Sequence, residues 1–324
     1  MSKIEVNIIS RSEDLPEFVG EGSFFHSPEL FRIIEQTPGQ HPYMAIAMND
    51  GRIEGRLLIT LRRRGSWLPP YLFTQARAYG EGDYADCADR EAVFSYMLEA
   101  LCHMLRGKLC LYIEFSDLST KMFGYGRFRA SGFFPVHWMK IHNSLHSMPP
   151  VERLLSRAVH HLDNARRAGL DVSPACTDDD IRAVVRMMHC YTTLHIRRYI
   201  PHFSMFSRLQ ASGRGDVYIT REGNRIIGGC VCVYSGCDSY LWYLTACDKL
   251  HMKRTYAITV WTAISKAYDA GYRHINFMDV GLPFRRHPLR EFILTFGGKP
   301  VGTYRWFRCT ISWINKILTW LYRE

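Results

Sequence analysis

No run of apolar residues in the chain is long enough to cross a bilayer, and the amino terminus, MSKIEVNIISRSEDLPEF, places acidic residues where a secretory signal needs to be hydrophobic. These two absences point to a cytoplasmic protein. No C-x-x-C pair occurs either: ten cysteines are scattered singly, some inside apolar runs as at Cys230 and Cys232. They read as small core residues rather than as zinc ligands or a disulfide framework. Histidines such as His189 and His195 stand alone and read as helix-surface or core residues, so no metal is expected. No Ser-His-Asp or Cys-His arrangement for nucleophilic catalysis is evident.

What is present describes a folded chain. Apolar residues make up 47% and charged residues 22%, which excludes a disordered or fibrous protein. At 324 residues the chain exceeds one ordinary core, and about two domains are expected. The net charge of +10 comes from dispersed arginine groups: Arg62-Arg63-Arg64, Arg166-Arg167, Arg197-Arg198 and Arg285-Arg286. Such a field favours anionic partners, among them nucleotide-linked precursors, coenzyme A, tRNA and the cytoplasmic face of a membrane, without choosing among them.

The order of elements repeats. In the second half, the spacing of Ile181, Val184, Val185, Met188, Tyr191 and Ile196 predicts a helix over 178–198. Strands follow at 217–220, 226–233 and 239–247, separated by Glu222-Gly223-Asn224 and Ser235-Gly236, which makes a β-meander. Thr255 is placed to cap a helix carrying Ala257, Val260, Trp261, Ile264 and Tyr268 and stopping at Gly271, before a strand at 275–279. The first half runs likewise: a strand over 43–48, the turn Asn49-Asp50-Gly51, a strand over 53–61, a helix over 90–105 stopped by Gly107, and a strand over 109–115. Asp117 then matches Asp279, and Ser131-Gly132-Phe133-Phe134-Pro135-Val136 echoes Phe296-Gly297-Gly298-Lys299-Pro300-Val301. Met148-Pro149-Pro150, interrupting a polar stretch, places the boundary near 150, giving domains 1–150 and 151–324.

This order of meander, helix, strand and closing Gly-rich strand is that of the GNAT fold. A tandem pair resembles the FemAB-like acyltransferases, through Gly228-Gly229, Tyr240-Leu241-Trp242-Tyr243, Trp261 and Ile264, Asn276-Phe277 with Asp279, and the 292–298 segment. The resemblance implies an α/β (α+β) protein of two tandem GNAT-like domains, each a mixed, mostly antiparallel sheet flanked by helices. It implies transfer of an acyl or aminoacyl group to an amine, with acyl-coenzyme A or aminoacyl-tRNA as donor and no tightly bound cofactor. The acceptor it implies is an anionic small molecule or a lipid-linked amine, such as a peptidoglycan, polysaccharide or lipid precursor. A catalytically silent binding or scaffold protein of the same fold is the alternative.

Two departures from the family pattern bear on the site. The pyrophosphate motif Q/R-x-x-G-x-G/A has no counterpart at 249–257, which holds no glycine, whereas Arg77-Ala78-Tyr79-Gly80-Glu81-Gly82 matches it in the first half. Arg77, Gly80 and Gly82 are therefore the candidate cofactor-binding residues. The F-K-x-x-F-G element reads Phe292-Ile293-Leu294-Thr295-Phe296-Gly297, without its lysine, and Arg290 is the nearest replacement.

Amide formation needs a base for the attacking amine and a donor to the oxyanion. Asp279 at a strand end is the candidate base, with a turn cap or a pair with Arg285 or Arg286 as its structural alternative. Simple alternation sends Trp242 and Tyr243 to opposite faces, with Tyr243 either facing the groove as proton donor or relay or standing in the core with its hydroxyl satisfied, and Trp242, a candidate substrate contact, packing. Arg197, Arg198 and Arg290 are the candidate contacts to substrate phosphate or carboxylate, while Arg166 and Arg167 read as surface. At the carboxyl terminus, Trp306, Trp313 and Trp320 recur every seven residues. That stripe suits either peripheral contact with the inner face of a membrane or packing on the second domain, and packing is the expectation.

Overall fold

A computed structural model describes residues 4–18, 22–65, 72–86, 88–118, 123–192, 199–247 and 252–322. The chain divides into two compact units, one formed by Met1–His137 with Thr303–Glu324 and the other by Trp138–Gly302.

In the first unit, β1 (Glu5–Ile9) precedes α1 (Pro28–Glu35), whose start is capped by Ser27 accepting from the Leu30 N–H. Strands β2 (Gln40–Asn49) and β3 (Arg52–Gly65) form a hairpin on Asp50 and Gly51, both at positive φ, as a two-residue loop matched to the strand twist requires. Then come β4 (Leu72–Tyr79), the short β5 (Asp83–Tyr84), α2 (Arg90–Arg106), β6 (Cys110–Ser116) and α3 (Tyr125–Ala130). Helix α2 begins where the Asp89 side chain accepts from the Ala92 N–H. Its buried Val93, Phe94, Met97, Leu98, Leu101 and Leu105 recur at helical spacing and cover Ala76, Ala78, Ile113 and Phe115 of β4 and β6.

Strand β7 (Phe134–Ser144) leads into the second unit, which contains α4 (Ser156–Arg167), β8 (Leu170–Pro174), α5 (Asp178–Thr192), α6 (Phe203–Ala211), β9 (Gly215–Glu222), β10 (Arg225–Ser235) and β11 (Asp238–Ala246). Helix α7 (Met252–Asp269), β12 (His274–Phe277) and α8 (Pro288–Leu294) complete it, and β13 (Lys299–Cys309) and α9 (Ser312–Leu321) carry the chain back to the first unit. The meander β9–β10–β11 is antiparallel as expected, with β8 added antiparallel to β9 and β12 parallel to β11. Helix α7 starts a turn earlier than the sequence suggested. Thr255 is therefore not its cap but a buried residue against Gly228, where an added Cβ would come within 2.5 Å of the threonine methyl. Neighbouring Gly229 faces Val184 of α5 instead, so α7 and α5 cover opposite faces of this sheet.

The repeat holds, with one exchange. Pro135 and Pro300 are each the second residue of the strand that follows a short helix, α3 and α8, and Asp117 and Asp279 both follow the preceding parallel strand. Yet Ile141–Ser144 of β7 pairs antiparallel with β12, and Arg305–Cys309 of β13 pairs antiparallel with β6. Each half's closing strand thus completes the other unit's sheet. A cut near 150 leaves 303–324 outside the unit it folds with: Trp306 is buried there, stacked 4.7 Å from Phe128. Of the described cysteines, Cys102, Cys110, Cys230, Cys232 and Cys309 are core residues as expected, whereas Cys176, Cys190, Cys237 and Cys247 are exposed.

Candidate active site

The two units differ at the one place where both have adjacent parallel strands. In the first, β4 and β6 pair from Thr74 and Cys110 to Tyr79 and Ser116, with one register slip after Thr74, so the strands are closed to their carboxyl ends. In the second, β11 and β12 pair only from Asp238 and His274 to Leu241 and Phe277. Residues 242–246 of β11 continue beside β10 with no partner strand on the other side among the described residues. An opening is left at the carboxyl end of the parallel pair, where open α/β sheets hold ligands.

A bulge begins the separation. The β10–β11 register slips between Val231 and Cys232, which face Tyr243 and Leu241, so Trp242 is an extra residue. The Trp242 and Tyr243 rings lie 5.6 Å apart rather than on opposite faces, a correction to the alternation read from sequence. Both are buried. Tyr243 donates its hydroxyl to the Tyr199 carbonyl (3.3 Å) and packs edge-on against Phe206 of α6, which marks it as a core tyrosine with a satisfied hydroxyl. Further along β11, the Thr245 hydroxyl is buried with no hydrogen-bond partner among the described residues. Lys253 and Arg254 stand in the first turn of α7, which has no acidic residue there, so that helix start favours an anion.

Beyond Phe277 the chain forms a loop over 278–287 that is fixed along its length. Met139 donates its N–H to the Gly281 carbonyl (3.0 Å), and the Trp138 indole donates to the Met278 carbonyl (3.3 Å). The Arg290 guanidinium donates to the carbonyls of Leu282 (2.7 Å) and Arg285 (2.8 Å), so it clamps the loop from within. That contact set replaces the substrate-binding role read for Arg290 with a positioning one. Asp279, half-buried, sits at the start of this loop two residues past the last β11–β12 pair.

The same loop carries His287, a residue that sequence reasoning passed over, within reach of the Asp279 charge. Burial lowers the His287 pKa, the nearby Arg290 and Arg285 push the same way, and the Asp279 charge pulls against them. Its Nδ1 is buried without a hydrogen-bond partner among the described residues. The ring packs on Gly281, at φ 85°, where a Cβ would meet His287 Cδ2 at 2.6 Å. Only a glycine in the left-handed region makes room there. A histidine whose neutral form is favoured by burial can take a proton from an amine. The signal in the sequence was slight: one histidine in Phe284-Arg285-Arg286-His287-Pro288, among surface arginines.

The other expected residues fall elsewhere. Arg77 is buried in the first unit's sheet, on the face opposite α2, where it donates to Ser116 Oγ (3.1 Å) and lies 3.5 Å from Glu114. The Gly80 N–H donates to the Ser116 carbonyl (2.8 Å) and the Gly82 N–H to His26 Nε2 (3.1 Å), while α2 begins only at Arg90. Their amides are thus committed within the protein and do not form a pyrophosphate cradle at a helix start. A hollow lined by Asp117, Phe123 and Trp306 lies beside them. Arg197 and Arg198 lie outside the described residues. Arg166 and Arg167 are exposed, as expected.

Residues 155–286 match the family described as Acetyltransferase (GNAT) domain. No curated protein matches the sequence significantly. Among solved structures, FemX is similar at a TM-score of 0.61 and 11% identity, over 93% of this chain and 94% of that one. A tandem GNAT protein from the clavulanic acid biosynthesis pathway is similar at 0.59 and 10%, over 95% and 99%. The carboxyl-terminal domain of a putative lysylphosphatidylglycerol synthetase from Agrobacterium fabrum is similar at 0.52 and 11%, over 80% and 84%. Residues 155–286 thus match the GNAT acetyltransferase domain family, within a chain that has the fold of tandem GNAT proteins and of FemX.

Proposed function

We propose that the chain is an N-acyltransferase whose reaction takes place at the opening between β11 and β12, with His287 as the proton acceptor and Asp279 as its partner. The observation that supports this reading is the conjunction of a sheet opened at residues 242–246 with a histidine on the loop after β12 whose pKa is lowered by burial and raised by the Asp279 charge. The donor is an acyl thioester such as acetyl-coenzyme A. The unpaired edge of β11 offers hydrogen bonds to its amide-rich arm, and Lys253 at the start of α7 offers a charge to its phosphates. An aminoacyl ester on tRNA presents the same electrophilic carbonyl and is the competing donor.

The step is a substitution at that carbonyl. The amine nitrogen forms the C–N bond, the C–S or C–O bond to the donor breaks, and the amine proton passes to His287 Nδ1 or Nε2 before release to the leaving group or solvent. Asp279 supports the imidazolium that forms, and the Arg290 clamp fixes the loop that carries both. The basic surface favours an acceptor with negative charge, as in a cell-envelope precursor or an amino lipid.

The test is turnover of labelled acetyl-coenzyme A and of labelled aminoacyl-tRNA against a panel of such amines. His287→Asn should cut kcat about 10²–10⁴-fold while the melting curve stays unchanged. In the wild type the acid limb of kcat/KM should lie below the ordinary histidine range, because burial lowers the ring's pKa. Loss of activity in step with loss of folding would show His287 to be structural, and failure with every donor would favour a binding or scaffold role.

A further inference from the structure

Helix α9 does not pack with its tryptophans inward, contrary to the expectation from sequence, and it belongs to the first unit rather than the second. None of its residues is buried, and Trp313 (66% exposed), Ile317 (55%), Trp320 (71%) and Leu321 (63%) recur so that all four lie on one outward face. The helix is nonetheless anchored by its other side. The Cys309 N–H donates to Asn315 Oδ1 (2.8 Å), Asn315 Nδ2 donates to the Gly132 carbonyl (2.9 Å), and Tyr322 stacks on Phe134 at 5.3 Å. The apolar face is therefore held outward by contacts.

Further exposed apolar residues stand at the end of the unit from which α9 departs. Thr310, just before the helix, bonds the Leu111 carbonyl, and the Leu109 carbonyl accepts from the Thr74 N–H, so the starts of β4, β6 and α9 meet at one end. Here Leu109 is 87% exposed and held at φ 52°, a conformation costly for a branched side chain, and Leu72 is also exposed. Cations rim the apolar residues. Arg106 and Lys108 are exposed beside Leu109, Arg106 and Arg308 both lie near Cys102, and Lys316 flanks the tryptophan stripe. No Asp or Glu occurs from 292 to 323.

From this juxtaposition we propose that α9 and the Leu72–Leu109 end of the first unit form a docking face for an anionic lipid surface, with Trp313, Ile317, Trp320 and Leu109 entering the headgroup layer and Lys108, Arg106 and Lys316 meeting lipid phosphates. No described helix is long and apolar enough to cross a membrane, so the contact is peripheral. Charge decides between occupants. A second copy would bring the same cations against themselves, whereas anionic headgroups neutralise them. The inference stands independently of the transferase reading, since it requires no turnover.

Sedimentation with vesicles of phosphatidylglycerol, and with vesicles of phosphatidylcholine for comparison, tests it on the full chain. The intact protein should pellet with the anionic vesicles and far less with the neutral ones, and added salt should release it. A Trp313→Ala/Trp320→Ala double variant should bind at least about tenfold more weakly, with an unchanged melting temperature because both side chains are exposed. Leu109→Asp, outside the helix, should weaken binding as well, and Lys316→Glu should do so by about fivefold or more on anionic vesicles alone. Absence of pelleting at low salt, or binding untouched by these substitutions, would overturn the proposal. So would a dimer in light scattering that the double tryptophan variant dissolves, which would assign the face to a second copy.

Discussion

Lowering the pH from 7 to 5 should cost the first unit about 2 kcal/mol through one side chain, His26. The ring is buried under β3, where it accepts from the Gly82 N–H at 3.1 Å, and burial lowers its pKa from 6.5 to about 4, with Asp83 pulling upward and Arg56 downward. The folded state thus binds this proton less readily than the unfolded chain does. Its stabilisation is complete above 6.5 and is lost as the pH falls toward 4. The whole interval is worth about 3 kcal/mol at ~1.4 kcal/mol per pH step, most of it gone by pH 4. Urea unfolding at pH 7 and pH 5, for the wild type and His26→Asn, measures it. The variant should be less stable at pH 7, since two elements lose a shared contact, yet should lose less stability between the two pH values. Carboxylates that titrate in the same window cancel in that difference. Equal losses for the two proteins would refute the reasoning and place a charged or solvated imidazole at this site.

Two further substitutions separate structural from functional roles. Glu114→Gln removes the carboxylate that lies 3.5 Å from Arg77 and 3.4 Å from Arg305 and accepts from Gln75 at 2.9 Å, all nearly buried. Two guanidiniums left in the interior should cost about 3–5 kcal/mol, read as a shift in urea midpoint. A change in donor KM with the midpoint unmoved would instead return Arg77 to the binding site. Gly281→Ala places a Cβ 2.6 Å from the His287 ring at φ 85°. It should cost about 1 kcal/mol or more in stability and displace the ring, lowering kcat well beyond that; unchanged kcat would separate His287 from the chemistry.

Periodicity, turn residues and the order of elements were legible in the sequence because they are local. The Asp50-Gly51 turn, the meander, the α2 and α7 stripes and the strand-end aspartates follow from spacings of two to four residues, and their recurrence was enough to suggest a tandem GNAT fold. Long-range pairing was not. Strands β7 and β13 carry the same landmarks, and nothing within either one says which sheet it closes; hydrogen bonds to β12 and β6 decide that. A one-residue bulge at Trp242 defeated the alternation rule, since a single extra residue reverses the faces beyond it. The motif at Arg77, Gly80 and Gly82 was a true spacing in a false setting, because its amides and guanidinium are committed to Ser116, His26 and Glu114 from distant segments. His287 was invisible for the converse reason. Its proton affinity is set by burial and by Asp279, Arg285 and Arg290, which only the folded loop gathers around one ring. The α9 stripe was plain in the sequence as an amphipathic pattern, but a pattern does not say which way it turns, and the contacts of Asn315 and Tyr322 turned it outward.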